Sequence, residues 1–253
     1  MRPDVTCCAE VPRNAGACAR YELTEWHRDL GLLAGIAPCG GGVDFGLGGD
    51  GPAGQALASW LDLLGSAVGF TSAVVARQVH GSAIAVYHDK LPDGLLIRDG
   101  FDGHVTDTPG VLLAVTVADC VPVFLAHPPT GRIGLVHAGW RGIAAGVLEA
   151  GIQELTGNTD AAADDVVMHC GIAICGSCYE VGPEVITAVT GRPAEGPEPL
   201  DLRTVLVERG TALGVHRITA SPFCTAHDAG FASYRAQRSA AGRMAAFLGR
   251  PPA

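Results

Sequence analysis

Three short segments place a metal-ligating or nucleophilic side chain where an apolar run stops. RQVHG (77–81) follows SAVVA and presents His80. ADC (118–120) follows VLLAVTV and presents Cys120. HAGWRG (137–142) follows IGLV and presents His137. Two imidazoles and a thiolate form a zinc ligand set, and three protein ligands leave a fourth position for water or substrate, as in catalytic rather than structural zinc. An ion held there would lower the pKa of a bound water towards neutrality and supply hydroxide. The three residues lack compact metal-site spacing. The zinc reading therefore requires strand ends of one sheet to converge on one rim, where sites in α/β folds often lie. On the residues alone a metal-free Cys120–His137 thiol pair is an equal alternative, and a single His or Cys that merely ends a strand is a third.

HAGWRG carries more than a turn requires. Gly, Asn or Asp suffices to reverse a chain, whereas this turn also holds Trp140 and Arg141 beside Gly139. A helix beginning here exposes N–H groups, and the Arg141 guanidinium adds a fork of donors, so the turn suits an anion. Trp140 offers a face for a planar ring or packs into the core. Asp119 precedes Cys120 and has three candidate jobs: orienting a ligand histidine, accepting a proton, or capping a strand end. CGSC (175–178) is a redox pair or half a zinc site. With no second C-x-x-C and no thioredoxin-like context, Cys175, Cys178, Cys170 and Cys224 read first as structural thiols. His227 falls in no recognised pattern.

The elements that must position these groups alternate. AGQALASWLDLLG (53–65) has helical spacing, and SAVVARQV, AIAVYH, VLLAVTVA, VPVFLAH and RIGLVH are short apolar runs. PPTG (128–131) is a turn signal that predicts a hairpin between the last two. A helix is expected over 143–157, ending at Gly157, then a buried strand over 165–173. Helices follow over 183–191, with Pro183 at its first position, and over 201–214, with Asp201 as N-cap. Late strands are expected at 215–220 and 242–249. Interleaved strands and helices predict the α/β class: a mixed sheet covered by helices in a single domain over 21–253, with residues 1–20 a loose leader.

Composition narrows the function classes. The chain has 253 residues, 48% hydrophobic and 17% charged, enough for a sizeable core. A net charge of −9 excludes an electrostatic nucleic-acid footprint, and no Lys/Arg run marks a membrane surface. The first residues lack the apolar stretch of a signal peptide, so a cytoplasmic protein is expected. An odd number of cysteines, nine, in a chain of this size argues for free thiols over a disulfide framework.

RQVHG, ADCVPV, HAGWRG, CYEVG (178–182) and FASYR…GRMAAF (231–247) run in an order that resembles the purine nucleoside phosphorylase family, also called the laccase-domain, polyphenol oxidase or YfiH-like family. The similarity covers about residues 70–250 and, more weakly, 31–50. The resemblance implies a single layered α/β domain of the YfiH-like or CNF1-like kind. It also implies one zinc bound by two His and one Cys, positions matched by His80, Cys120 and His137, with Cu2+ as the alternative ion. Its activities would be phosphorolysis of purine nucleosides and deamination of adenosine, with nucleoside and phosphate as partners and a monomer or small homo-oligomer as the assembly. Cys120, Asp119 and Arg141 would then be catalytic, and Gly139, Trp140 and Arg141 would bind substrate. Family alternatives are copper-dependent phenol oxidation and editing of peptidoglycan precursors. The chain departs from the family pattern. IAPCGGGV (36–43) lacks the Arg expected before the glycines, Gly46-Leu47-Gly48 replaces Asn-Leu-Gly, GQALASWLDLLG lacks an Asn-Arg pair, Gly171-Ile172 stands for Gly-Pro, and SYRAQ for SYRRD. A metal-binding homologue without catalysis is the reading those losses support.

Overall fold

The computed structural model describes residues 6–13, 19–39, 44–47, 57–61, 68–157 and 163–252. Its strands form two seven-stranded mixed sheets and a small two-stranded one, Glu180–Val181 with Glu198–Pro199. The first runs, edge to edge, Thr6–Cys7, Arg217–Ala220, Val167–Cys170, Val121–His127, Arg132–Ala138, Gly103–Thr106, Ile84–Tyr87. The second runs Val11–Arg13, Arg20–Glu22, Leu33–Ala37, Met244–Gly249, Val111–Val117, Ser72–Arg77, Gly94–Asp99.

Periodicity explains the layering. All seven residues of Val121–His127 are buried, which requires cover on both faces of the strand. Successive side chains point opposite ways. Phe124 thus enters the core between the two sheets with Leu135, Val115 and Leu248. Val123 and Leu125 enter the core on the other face, with Leu148 of helix Val147–Thr156 and Leu206 of helix Leu202–Ala212. On the far face of the second sheet, Leu57, Trp60 and Leu61 of a helical segment pack on Leu112 and Phe247. The expected α/β class with mixed sheet and helices holds. One sheet becomes two because apolar strands buried on both faces carry no sequence mark of which sheet they join.

Several expectations match in detail. Val121–His127 and Arg132–Ala138 form the antiparallel hairpin. Asp201 caps its helix by accepting the N–H groups of Arg203 and Thr204, and Pro183 opens Pro183–Thr190. Two corrections follow. The helix expected over 143–157 is two helices, Trp140–Ala144 and Val147–Thr156, broken at Gly146, whose φ of 84° suits glycine. The first residues are no loose leader where described. Thr6–Cys7 pairs with Arg217–Ala220, Val11–Arg13 pairs with Arg20–Glu22, and buried Glu10 meets His169 and the Ser221 hydroxyl. Strands of two or three residues are too short to show periodicity. The glycine-rich stretch at 40–43 and 48–50, and most of the helix expected over 53–65, lie outside the described residues. Among the described residues no helix is long and apolar enough to cross a membrane.

For the site, what matters is where chain segments leave the sheets. Val111–Val117 belongs to the second sheet and Val121–His127 to the first, so the Ala118–Asp119–Cys120 turn crosses between them. His80 follows Ser72–Arg77 of the second sheet, and His137 lies near the end of Arg132–Ala138 of the first.

Candidate metal centre

The crossing brings His80, Cys120 and His137 together, with one donor atom from each lying within 4.8 Å of the others. The two imidazoles meet edge to face, ring centroids 4.8 Å apart. Two of the supporting turns are conformationally costly. His80 has φ 59° and Asp119 has φ 83°, in the left-handed region that side chains other than glycine seldom occupy. The carboxylate of Asp102 holds the first of them. It accepts the backbone N–H of His80 (2.9 Å), Gly81 (2.7 Å) and Val79 (3.2 Å), and also pairs with His137 Nδ1 at 2.9 Å. With Nδ1–H donated to Asp102, His137 keeps its Nε2 lone pair for an ion, the pattern by which a carboxylate orients a metal-binding histidine.

Gly139 explains the small residues of HAGWRG. A Cβ there would lie 2.9 Å from Cys120 Sγ and 3.0 Å from His80 Cδ2, so only glycine lets the strand end approach both ligands. Electrostatics match the packing. Burial pushes the Cys120 thiol up, but His137 and His80 outweigh it and bring the thiol down to about 6. Burial pulls His137 down, but Cys120 and Asp102 outweigh it and carry the imidazole up. Burial would raise Asp102, yet His137 and the Gly81 and Val79 amides keep it below the usual carboxylate range. A charged thiolate beside oriented imidazoles is the donor set a borderline-soft divalent ion needs, so these residues fit a metal.

The triad opens onto a cleft of about 860 Å³. Arg77, Arg141, Arg235, Arg238 and Arg243 all line it, a concentration of positive charge in a chain whose net charge is −9. Arg141 lies over the Trp140 ring, 4.2 Å from its centroid, and Arg235 lies 4.8 Å from that of Tyr179. Trp140 therefore packs against the core and supports Arg141 on one face. Gly139 is the N-cap of its five-residue helix, Trp140–Ala144. Asp119 lines the cleft, but its carboxylate accepts the Thr225 hydroxyl and the Arg235 N–H, both at 2.6 Å. It ties loops together, while the carboxylate on the ligand histidine is Asp102. Sequence reading did not single out Asp102. It sits in the loop FDGH, 35 positions before His137, at no spacing that marks such a role.

Residues 49–251 match the family model described as multi-copper polyphenol oxidoreductase laccase. The chain is 38% identical over 183 residues to purine nucleoside phosphorylase ORF3 of Streptomyces griseus, covering 68% of this chain and 72% of that one. It is 32% identical over 157 residues to adenosine deaminase RL5 of an unknown prokaryotic organism, covering 54% of this chain and 60% of that one. Among solved structures, YlmD from Geobacillus stearothermophilus superposes with a TM-score of 0.80 at 28% identity, over 96% of this chain and all (100%) of the other.

Proposed function

This chain belongs to the multi-copper polyphenol oxidoreductase laccase family, and from that premise we propose that it is a metal-dependent purine nucleoside phosphorylase whose ion, a zinc, is held by His80, Cys120 and His137. The observation that carries the reading is the cleft, where a thiolate and two imidazoles face five arginines in an acidic protein. Such a wall suits a phosphate co-substrate. The sequence has no His-x-His pair. Paired His-x-His ligands are those by which multicopper oxidases hold their copper.

Phosphorolysis asks the protein chiefly for positioning. Arg141, held on Trp140, fixes the phosphate with one of its oxygens towards the anomeric carbon of the ribose. That oxygen forms a bond to carbon as the carbon–nitrogen bond to the purine breaks. The bonding pair leaves with the base, which takes up the proton that the attacking hydrogen phosphate gives up, and ribose 1-phosphate remains. Tyr234, 51% exposed on the cleft wall, gives the purine a ring face. When bound, the ion supplies Lewis acidity within the cleft. The relative named adenosine deaminase favours a second reaction at the same site, in which water adds to the adenine ring and the amino group leaves as ammonia to give inosine.

The phosphate assignment has a direct test. A hydrogen bond to a charged partner is worth about 1.5–3 kcal/mol, so Arg141→Ala should raise the KM for phosphate about 10- to 100-fold. The KM for nucleoside should move far less. Steady-state kinetics with each substrate varied in turn decide it, and an unchanged phosphate KM removes Arg141 from the phosphate site.

A further inference from the structure

A second constellation lies outside the triad. CGSC (175–178) and CTAH (224–227) are 46 residues apart, yet Cys175, Cys178, Cys224 and His227 each place one donor atom within 4.8 Å of the others. We propose that these four residues form a closed, structural site for a tetrahedral divalent ion of the zinc class, separate from the triad.

Four observations carry it. The spacing is two C-x-x-ligand pairs, C-x-x-C and C-x-x-H, and a Cys3His set is among the standard structural zinc sets. The separation is right: four ligands about 2.3 Å from a common centre lie about 3.8 Å apart, and Cys178 Sγ is 3.3 Å and Cys175 Sγ 4.0 Å from His227 Nδ1. Two of the sulfurs also have polar partners. Cys224 Sγ accepts the backbone N–H of Cys175 at 3.3 Å, and Cys175 Sγ lies 3.1 Å from the Ser177 hydroxyl. Nε2 of His227 lies 3.8 Å from the Asp228 carboxylate, beyond hydrogen-bond reach, and it is Nδ1 that faces the sulfurs. Among the described residues the cysteines are free thiols.

The fold gives such an ion a purpose. The two loops are also joined by an isolated bridge, Ala173 to Cys224, by the bond from Thr225 N–H to Ala173 O and by that from Cys175 N–H to Cys224 Sγ. They are also the loops that hold the Cys120 turn, through the Thr225 hydroxyl on Asp119 and the Ile174 N–H on the Asp119 carbonyl. An ion clamping 175–178 to 224–227 would fix the scaffold behind the catalytic turn without entering the cleft, since none of its four ligands is among the cleft-lining residues.

The test is a metal count on purified full-length chain, kept reduced and stripped of loosely held ions by gel filtration. The parent should carry two zinc ions per chain. Cys120→Ala should carry one, and Cys175→Ser/Cys178→Ser should likewise lose one. A metal-free Cys120→Ala protein overturns the proposal, whether or not the triad turns over nucleosides. Zinc X-ray absorption of the parent answers the question should a variant not fold. Sites of one and three thiolates together average two sulfurs per ion, whereas occupancy of the triad alone gives one.

Discussion

Cys120→Ala should lower nucleoside phosphorolysis by about a thousandfold, since Lewis-acid stabilisation worth ~4 kcal/mol corresponds to that factor. The same change should release the ion of the triad. The effect is large because Cys120 supplies the one thiolate of the set and sits where two sheets exchange the chain. Fold stability should change little, because Cys120 is a small residue at a turn that Thr225 and Arg235 hold through Asp119. Initial rates beside circular dichroism melts check both halves. His80→Ala and His137→Ala belong to the same prediction. Strong chelation followed by undiminished turnover would instead favour a metal-free Cys120–His137 pair.

The second large effect belongs to a residue that touches no substrate in this account. Asp102 is fully buried and serves His137 and three backbone amides at once. Removing a carboxylate that orients a ligand histidine typically costs 10- to 100-fold in metal affinity. Asp102→Ala should show a loss of that order in competition with a chelator. It should also destabilise the fold by about 3 kcal/mol or more, because each buried donor left unpaired costs about 1–3 kcal/mol. Asp102→Asn retains an acceptor of the same shape and should recover part of both. Metal affinity equal to that of the parent in Asp102→Ala would show that His137 is oriented by packing alone.

The three members of the triad could be named because they end apolar runs, but that pattern left a metal-free Cys120–His137 pair equally open, and the family resemblance singled out the three-ligand set. The two glycines of HAGWRG carried a further message that the structure makes physical. Gly139 clears space for Cys120 and His80, and a Cβ at Gly142 would lie 3.0 Å from the Gly81 carbonyl of the RQVHG turn. Asp102 was not legible, since a carboxylate in a short loop carries no period and its partners are set by the meeting of two sheets. CTAH was not legible: Cys224 reads as a structural thiol and His227 falls in no pattern. Its spacing matches that of CGSC, but pairing the two needs the bridge at Ala173 and Cys224, a contact across about fifty residues. The edge strands of the first twenty residues escaped for a different reason: they pair through backbone bonds, which any side chains permit.

The substitutions near the N-terminus bear on turnover itself. Gly46 and Leu47 line the cleft with Asp44, where the family pattern places an Asn. Asp44 accepts the N–H of Gly46 and of Arg243. A carboxylate thus ties Gly46 to the backbone of Arg243, whose side chain lines the cleft with Arg141, Arg235 and Arg238.

The account is tested most directly by the products formed from adenosine by the metal-replete protein, with and without inorganic phosphate, separated by chromatography beside Cys120→Ala. Adenine and ribose 1-phosphate are expected from the parent, dependent on phosphate and absent from the variant. Inosine formed equally with and without phosphate would assign the site to deamination. No product under either condition would contradict a nucleoside-cleaving role for this cleft.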